Sequence, residues 1–259
     1  MSYYGNKEFY IEVAKGNIPG HSLVVRSGKN SAVASGAWEL VTNLSGAPNW
    51  LSAAATVRVK AGGDAADAAA GAGAQKVTVS GIDSNLDFIS EDITLNANGT
   101  LASASTTALF WRTCGLHIPD GGVGTYGGSN TGAITLEDTA GTTDLLLMDA
   151  GFSQAQQCCY TVPDGYTAYL LGTESHTESL KPSDIRIRIR NNMNDTTTPF
   201  SPIRTVFVDQ GVDGEAQNQP TGVLGVFSGN TDVWIEAYGS GAQTKVSAAM
   251  EFLLVQDGF

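Results

Sequence analysis

After Asp184, residues 185–190 alternate isoleucine and arginine without a break, and this run most strongly limits what the chain can fold into. Successive side chains of a β-strand point to opposite faces of the sheet, so Ile185, Ile187 and Ile189 would share one face and the intervening arginines the other. On a helix the same residues would be distributed around the axis and would bury charge together with apolar groups. The run therefore predicts a strand with buried isoleucines and with arginines that face water or an acidic partner.

The same alternation recurs along most of the chain, in short runs separated by loops rich in glycine, alanine, serine and threonine. Residues 56–60 alternate cleanly, and residues 243–255 place five apolar side chains on one face. There are about twelve to fifteen such runs, at the spacing that is typical of sandwiches and barrels. The pattern predicts an all-β fold, namely an antiparallel β-sandwich of jelly-roll type.

Turn residues mark the loops between these strands. The glycine-rich residues 61–74 and 120–130 are predicted to be irregular, because a glycine costs about 1 kcal/mol in a helix. The Pro-Asp-Gly sequence at residues 163–165 is flanked by two strand-like runs, and it predicts a β-hairpin.

Residues 1–36 hold few apolar runs and cannot close a core by themselves, so they are predicted to form an extended N-terminal arm with a bend at residues 16–20. The arm would contact a neighbouring subunit or its own β-domain, and we favour the neighbour. A first β-region is expected over residues 37–155 and a second over residues 156–259. The alternative is one continuous β-sandwich domain. The candidate interface residues of the arm are Tyr10, Ile11, Ile18, Pro19 and His21.

The charge balance argues against two classes of partner. The chain has 14 basic and 26 acidic side chains and a formal net charge of −12, which repels phosphate backbones and argues against a nucleic-acid binder. No run approaches the roughly 18 apolar residues that span a bilayer, and the first residues lack the build of a signal peptide, so no membrane partner is expected. Charged residues make up only 15% of the chain, a low proportion that is consistent with a surface covered by neighbouring subunits.

The three cysteines, Cys114, Cys158 and Cys159, are predicted to be reduced. Adjacent residues on a strand point to opposite faces, so a disulfide between Cys158 and Cys159 is not expected. An odd count with poor spacing is typical of free thiols, which indicates synthesis in a cytoplasm.

No cluster of residues predicts catalysis or a cofactor, so neither is expected, and the histidines have no zinc-motif spacing. Asp209, Asp213 and Glu215 offer the oxygen ligands of a calcium loop, but they lack the EF-hand frame, and a solvated loop is the simpler interpretation. Asp83, Asp87, Glu91 and Asp92 could serve as the paired carboxylates of a glycan-cleaving enzyme, but such a pair is informative only when its separation is known, and the sequence does not give it.

Several stretches, taken in their order and spacing, resemble small virion structural proteins of tailed bacteriophages. They are residues 10–21 (YIEVAKGNIPGH), 57–67 (VRVKAGGDAAD) running on to Gly73, 123–127 (VGTYG), 232–237 (DVWIEA) and 252–255 (FLLV). The resemblance spans most of the chain, and its motifs are patterns of strand and loop.

The resemblance implies a non-enzymatic structural component of a tailed-phage virion, of the capsid-decorating type or of the head-to-tail and tail-fibre attachment type. The implied partners are other copies of the chain, in a symmetric homo-oligomer, and other phage virion proteins. The implied location is the virion, assembled in the host bacterial cytoplasm. Two alternatives stay open: a carbohydrate- or receptor-binding tail module, which needs an exposed aromatic platform, and a depolymerase, which needs two facing carboxylates.

Overall fold

The computed structural model of the chain describes residues 6–44, 46–178, 180–195, 200–218, 222–241 and 243–259. Residues 1–5 of the predicted arm lie outside these ranges. The described residues form one helix and sixteen strands, and this confirms the predicted all-β fold. The elements are α1 (Asn6–Ala14), β1 (His21–Val33), β2 (Trp38–Leu40), β3 (Val57–Ala61), β4 (Lys76–Ile82), β5 (Phe88–Thr94), β6 (Arg112–His117), β7 (Ile134–Asp138), β8 (Asp144–Met148), β9 (Cys159–Thr161), β10 (Tyr166–Thr177), β11 (Ser183–Arg190), β12 (Ile203–Val212), β13 (Glu215–Asn218), β14 (Gly225–Ser228), β15 (Asp232–Gly239) and β16 (Thr244–Gln256).

Strands from both ends of the chain build two five-stranded sheets that share one hydrophobic core, and we call this unit the terminal sandwich. One sheet has the order β1-β16-β10-β13, with β14 also paired to β10. The other has the order β12-β11-β15-β2, with β9 also paired to β15. The pairs between these strands are antiparallel, and alternate side chains of each strand enter the core, as a period of two requires.

β11 shows the predicted alternation most clearly. Its three isoleucines are 3%, 2% and 8% exposed and belong to the core of the terminal sandwich, which confirms the prediction. On the outer face, the guanidinium groups of Arg186 and Arg188 lie 2.6 Å and 3.8 Å from the carboxylate of Glu236. β16 likewise buries the five alternate apolar residues that its sequence places on one face.

The chain between β2 and β9 forms a second pair of sheets, which we call the inserted sandwich. Its sheets have three strands each, in the orders β3-β7-β8 and β5-β4-β6. They share a separate hydrophobic core that includes Val59, Val79, Phe110 and Leu136. The glycine-rich residues 61–74 form loops at its edge, as predicted.

The jelly-roll topology is not confirmed. A jelly roll folds its strands into one pair of sheets, whereas here two pairs of sheets have separate cores. β1 and β2 come before the inserted sandwich in the sequence, yet they pair with strands that follow residue 156. The predicted first β-region, residues 37–155, therefore holds the inserted sandwich together with β2, which belongs to the terminal sandwich.

The N-terminal segment differs from the predicted extended arm. Residues 6–14 form the helix α1, and β1 pairs with β16 from His21 opposite Val255 to Val33 opposite Thr244. The predicted arm of residues 1–36 is therefore too long, because β1 is part of a sheet and only the described residues before it stand outside the sandwich. Residues 27–32 carry no apolar alternation, so their sequence does not show that they form a strand. They are ordered because their backbone pairs with β16, whose apolar face supplies the burial.

The hairpin predicted at residues 163–165 is wrong. β9 pairs with β15 in one five-stranded sheet, whereas β10 pairs with β16 in the other. The turn therefore carries the chain from one sheet of the terminal sandwich to the opposite sheet. Gly165 has a φ of +71°, which glycine adopts without strain. A turn motif specifies that the chain reverses, and it does not specify whether the flanking strands pair with each other.

Candidate functional site

Three of the candidate interface residues lie on α1 or contact it. Tyr10 and Ile11 are 36% and 53% exposed, whereas Val13 is 3% exposed. The Phe9 ring meets the His21 ring edge-on, at a centroid distance of 5.9 Å. The helix is therefore held on the start of β1 by one side and presents the neighbouring Tyr10 and Ile11 side chains to solvent.

Ile18 and Pro19 form the turn between α1 and β1, with Ile18 half-buried and Pro19 exposed. The Nδ1 of His21 lies 2.8 Å from the carbonyl oxygen of Pro19. The backbone N–H of Gln256 donates to the carbonyl of Gly20 at 2.7 Å. The predicted bend is thus attached to the C-terminal strand of its own chain.

The calcium candidates around the β12–β13 turn each have a separate hydrogen-bond donor. Asp209 accepts from the Asn218 amide at 2.8 Å, Asp213 accepts from the backbone N–H of Leu180 at 2.9 Å, and Glu215 accepts from a glutamine side chain at 2.6 Å. Within the described ranges, no group of three or more His, Cys, Asp or Glu residues is placed to hold a metal ion.

The carboxylates considered for an enzyme also have local partners. Asp83 closes the turn between β4 and β5 by accepting two backbone N–H groups, at 2.8 Å and at 3.0 Å, the second from Asp87. Glu91 accepts the backbone N–H groups of residues 107 and 108 at 2.8–3.0 Å. These bonds order loops of the inserted sandwich.

Asp92 lies on β5 beside two donors of the neighbouring strand. Its carboxylate accepts a hydrogen bond from the Thr78 hydroxyl at 2.6 Å and from the Lys76 ammonium at 3.0 Å. These two bonds hold the pKa of the Asp92 carboxyl below its usual value, so the group stays ionised at neutral pH.

The three cysteines are free thiols. Burial raises the pKa of Cys114, of Cys158 and of Cys159. The Cys158 Sγ also lies 3.6 Å from the carbonyl oxygen of Arg26 on β1. Because the thiolate is the nucleophilic form, these groups are poor nucleophiles at neutral pH.

Asp67 lies in the glycine-rich loop and is fully buried. Its carboxylate accepts the backbone N–H groups of Ala74 at 2.8 Å, Thr131 at 2.9 Å and Gly132 at 2.6 Å. It thereby satisfies donors that irregular loops would otherwise leave unpaired, and it ties two distant loops together. This acidic residue therefore has an architectural role.

A buried ion pair that the sequence did not predict joins the two sandwiches. Arg112 of β6 and Asp232 of β15 are 3% and 0% exposed, and two hydrogen bonds of 3.0 Å and 3.1 Å connect them. The Thr161 hydroxyl donates to the same carboxylate at 2.7 Å, and the guanidinium lies 4.8 Å from the centroid of the Trp50 ring. A charged residue inside the apolar run of residues 108–118 indicates a buried partner, but not which residue it is.

The tryptophans pack against neighbours. Trp234 is 1% exposed, and Trp50 meets it edge-on at 5.1 Å. The Arg186 guanidinium lies 4.0 Å from the ring centroid of Trp38. Trp234 thus belongs to the interior, whereas Trp50 and Trp38 are partly exposed.

β12 is the outermost strand of its sheet. It pairs with β11 on one side, and its other side has no strand partner among the residues that the structure describes. Ile203, Val206 and Val208 are 46–47% exposed along it. Two irregularities interrupt its register with β11.

A cleft of about 390 Å³ lies between the two sandwiches. One wall is β1, from Val25 to Ser27, and another is the outer face of the sheet β5-β4-β6. Hydroxyl and amide side chains make up much of the polar lining. They are Ser27, Thr78, Ser80, Ser90, Gln154 and Gln157.

Comparison with known proteins gives no family for this chain. No family model matches it, and no curated protein matches it. Fifteen chains of solved structures match, and several of them come from infectious bursal disease virus. Three of these are the virus of the Gx strain, the T=1 particles derived from the virus and the VP2 subviral particle. The sequence identities are 11%, 11% and 12%, and the TM-scores are 0.26, 0.27 and 0.24, in that order. Each match covers 96% of this chain, and it covers 78%, 75% and 78% of the respective viral chain. At TM-scores this low, the likeness assigns neither topology nor function.

No helix in the described part of the chain is long and apolar enough to cross a lipid bilayer.

Proposed function

We propose that this protein is a non-enzymatic structural component of a virion and that it works as an oligomer. In the finer form of the proposal, the particle is a tailed bacteriophage. The protein would sit at the head-to-tail or tail-fibre attachment region, or on the capsid surface. Its partners would be other copies of itself and other virion proteins. The virion would be assembled in the host bacterial cytoplasm.

The unpaired edge of β12 is the observation that carries the proposal. A strand at the edge of a sheet presents a row of free N–H and C=O groups, which is a template for pairing with another chain. Monomeric proteins protect such edges with short strands, lysine or proline. β12 runs for ten residues and contains neither lysine nor proline, and its side chains include three exposed apolar ones. Its protection within the described residues is limited to its register irregularities and to the charged Arg204 and Asp209.

The sequence resemblance supports the finer form of the proposal. The stretch over residues 57–73 builds β3 and the loop that Asp67 organises, and residues 232–237 begin β15 at the centre of the terminal sandwich. Residues 10–21 contain the exposed pair on α1, which offers a second contact surface far from β12 in the sequence. Two surfaces let one subunit contact two neighbours.

Lysine substitutions on β12 test the proposed oligomer. We expect Val206→Lys with Val208→Lys to leave the fold intact, since both positions are about half exposed, and to abolish association, since like charges would face each other across the new pairing. Leu101→Lys, at a 55% exposed position in a loop, is the matched control. Sedimentation velocity of the purified proteins and their incorporation into particles are the two measurements.

Imaging of the intact particle decides whether the protein lies at the head-to-tail region, at the tail-fibre attachment region or on the capsid surface. Cryo-electron microscopy of purified particles should show each copy in contact with a neighbour through an interface above about 1,000 Å². Isolated copies without a neighbour, or a particle that lacks the protein altogether, would overturn the proposal.

The α1 surface is tested by substitutions, because a truncation that deletes residues 1–15 would also remove the buried Val13. Tyr10→Ser with Ile11→Ser removes only exposed apolar groups, so it should preserve the melting temperature and lower incorporation. Val13→Ala should instead lower the melting temperature, because it creates a cavity against β1. Normal incorporation of the double serine variant would exclude α1 as a contact surface.

A further inference from the structure

The cleft between the sandwiches contains an arginine that has neither an acceptor for its Nε nor an ion-pair partner among the residues that the structure describes. Arg26 lines the cleft from β1, and its Nε is buried and has no hydrogen-bond acceptor in the described part of the chain. Its guanidinium carbon lies 5.3 Å from the centroid of the Tyr160 ring, and no described carboxylate lies within ion-pair distance of it. A half-buried cation that lacks both an acceptor and a counter-charge is a strong donor for a ligand anion.

A second orphaned group lines the same cleft. The Gln157 Oε1 is buried and has no donor among the described residues. Leaving a buried donor or acceptor unpaired costs free energy, so the cleft gains stability from an occupant that supplies both an anionic oxygen and a hydroxyl. An anionic oxygen and a hydroxyl are therefore the two groups that an occupant of this cleft should offer.

The rest of the lining is suited to a polyhydroxylated ring. Ser27, Ser80 and Ser90 contribute hydroxyls that donate and accept. Phe88 is 53% exposed and Val25 58% exposed, and both line the cleft, so an apolar surface is available to the C–H face of a sugar. The volume of about 390 Å³ lies within the range of small-molecule sites.

The charges around the cleft favour an anion in spite of the negative net charge of the chain. Asp92 is adjacent to the lining, through its hydrogen bond with Thr78, and Lys76 compensates its charge at 3.0 Å. His117 also lines the cleft, and its ring nitrogens can take part in hydrogen bonds. The uncompensated charge in the lining is therefore that of Arg26.

We propose that this cleft binds an acidic saccharide, that is, a pyranose ring that carries a carboxylate. Arg26 holds the carboxylate, the serine hydroxyls and the amide of Gln157 hold ring hydroxyls, and Phe88 packs against the C–H face. The planar fork of a guanidinium matches a carboxylate in two-point geometry. The proposal does not depend on the oligomer described above, since every residue in it belongs to one chain.

Titration of the full-length protein with defined sugars tests the proposal. Saturation-transfer NMR and calorimetry would use glucuronic acid, galacturonic acid and N-acetylneuraminic acid as probes, with glucose as the neutral control and acetate as the charge-only control. We expect at least one acidic sugar to bind with a dissociation constant of about 1 mM or lower. Glucose and acetate should bind with dissociation constants at least about tenfold higher.

Three variants locate the binding. Arg26→Gln should weaken binding of the acidic sugar by about tenfold or more, whereas Arg204→Gln, which removes an exposed charge from β12, should not change it. Phe88→Ala, at an exposed position that folding does not require, should weaken binding several-fold and keeps the test valid if Arg26→Gln fails to fold.

The contrary results are equally defined. Absence of binding by all three acidic sugars overturns the proposal, and so does binding that neither Arg26→Gln nor Phe88→Ala weakens. Acetate that binds as tightly as the sugars would show a simple anion site, and the saccharide assignment would then be wrong.

Discussion

Arg112→Met is predicted to be among the most destabilising single substitutions in this protein. The pair of Arg112 with Asp232 is almost completely buried and is connected by two hydrogen bonds. Removal of the guanidinium leaves the carboxylate with no exposure and with the Thr161 hydroxyl as its remaining side-chain donor. Breaking one side of a buried pair costs about 3–5 kcal/mol, because an uncompensated charge stays in the interior. That is a large fraction of a typical unfolding free energy of about 5–15 kcal/mol.

A double-mutant cycle separates the loss of the pair from the cost of the orphaned charge. Arg112→Met with Asp232→Leu removes both charges, so it should cost less than the sum of the two single substitutions, with a coupling energy of about 1–3 kcal/mol. Lys76→Met breaks the exposed pair with Asp92 and serves as the control, with an expected loss below about 1 kcal/mol.

Urea unfolding followed by tryptophan fluorescence measures these losses. Trp50 packs against Trp234 and lies over Arg112, so its emission reports on the contact between the two sandwiches. Because the pair joins the two sandwiches, Arg112→Met should also separate their unfolding into two transitions. A loss below about 1 kcal/mol for Arg112→Met, or strictly additive single and double variants, would refute the reasoning.

Three further predictions rest on single buried groups. Ile187→Ala should lower the unfolding free energy by about 2–5 kcal/mol in urea denaturation, through lost burial and a cavity between the sheets of the terminal sandwich; Val25→Ala, at an exposed site, is its control, and equal losses would contradict the burial argument. Asp67→Asn should cost about 1–3 kcal/mol in the same assay, because an amide NH₂ would face backbone N–H donors; an unchanged midpoint would show that the loop does not need the carboxylate. The folded state raises the thiol pKa of Cys158, so it retains a proton that the unfolded chain loses above pH about 8.5, and stability should fall as pH rises through that value; Cys158→Ala should flatten this alkaline slope in chemical denaturation between neutral and alkaline pH, and an unchanged slope would exclude the thiol as its source.

The strands that could be predicted from the sequence are those with one apolar and one polar face. β11 and β16 bury every alternate residue, so their apolar and polar side chains alternate along the sequence with a period of two. The irregular loop of residues 61–74 was also predictable, because glycine is costly in regular structure. β1 was underestimated and α1 was missed, because their sequences carry little periodicity and they are ordered by contacts with β16 and with His21.

The candidate sites were much less accessible to sequence reasoning. Tyr10 and Ile11 were identified as candidates, and the structure leaves both exposed. Arg26 carried no signal, because an unpaired arginine is recognised only when all its spatial neighbours are known. The buried pair of Arg112 and Asp232 was equally hidden, since its members are 120 residues apart.

By itself, the sequence determined the class of local structure, through side-chain periodicity and turn residues. Only the tertiary structure decided which strands pair, and the turn at residues 163–165 shows why. The turn residues reverse the chain, but β9 pairs with β15 and β10 pairs with β16, so the two strands lie in opposite sheets. The same long-range contacts place β1 beside β16 and divide the chain into two sandwiches, which creates the cleft between them. Pairing between distant strands depends on the burial of whole faces, and no local run of residues encodes it.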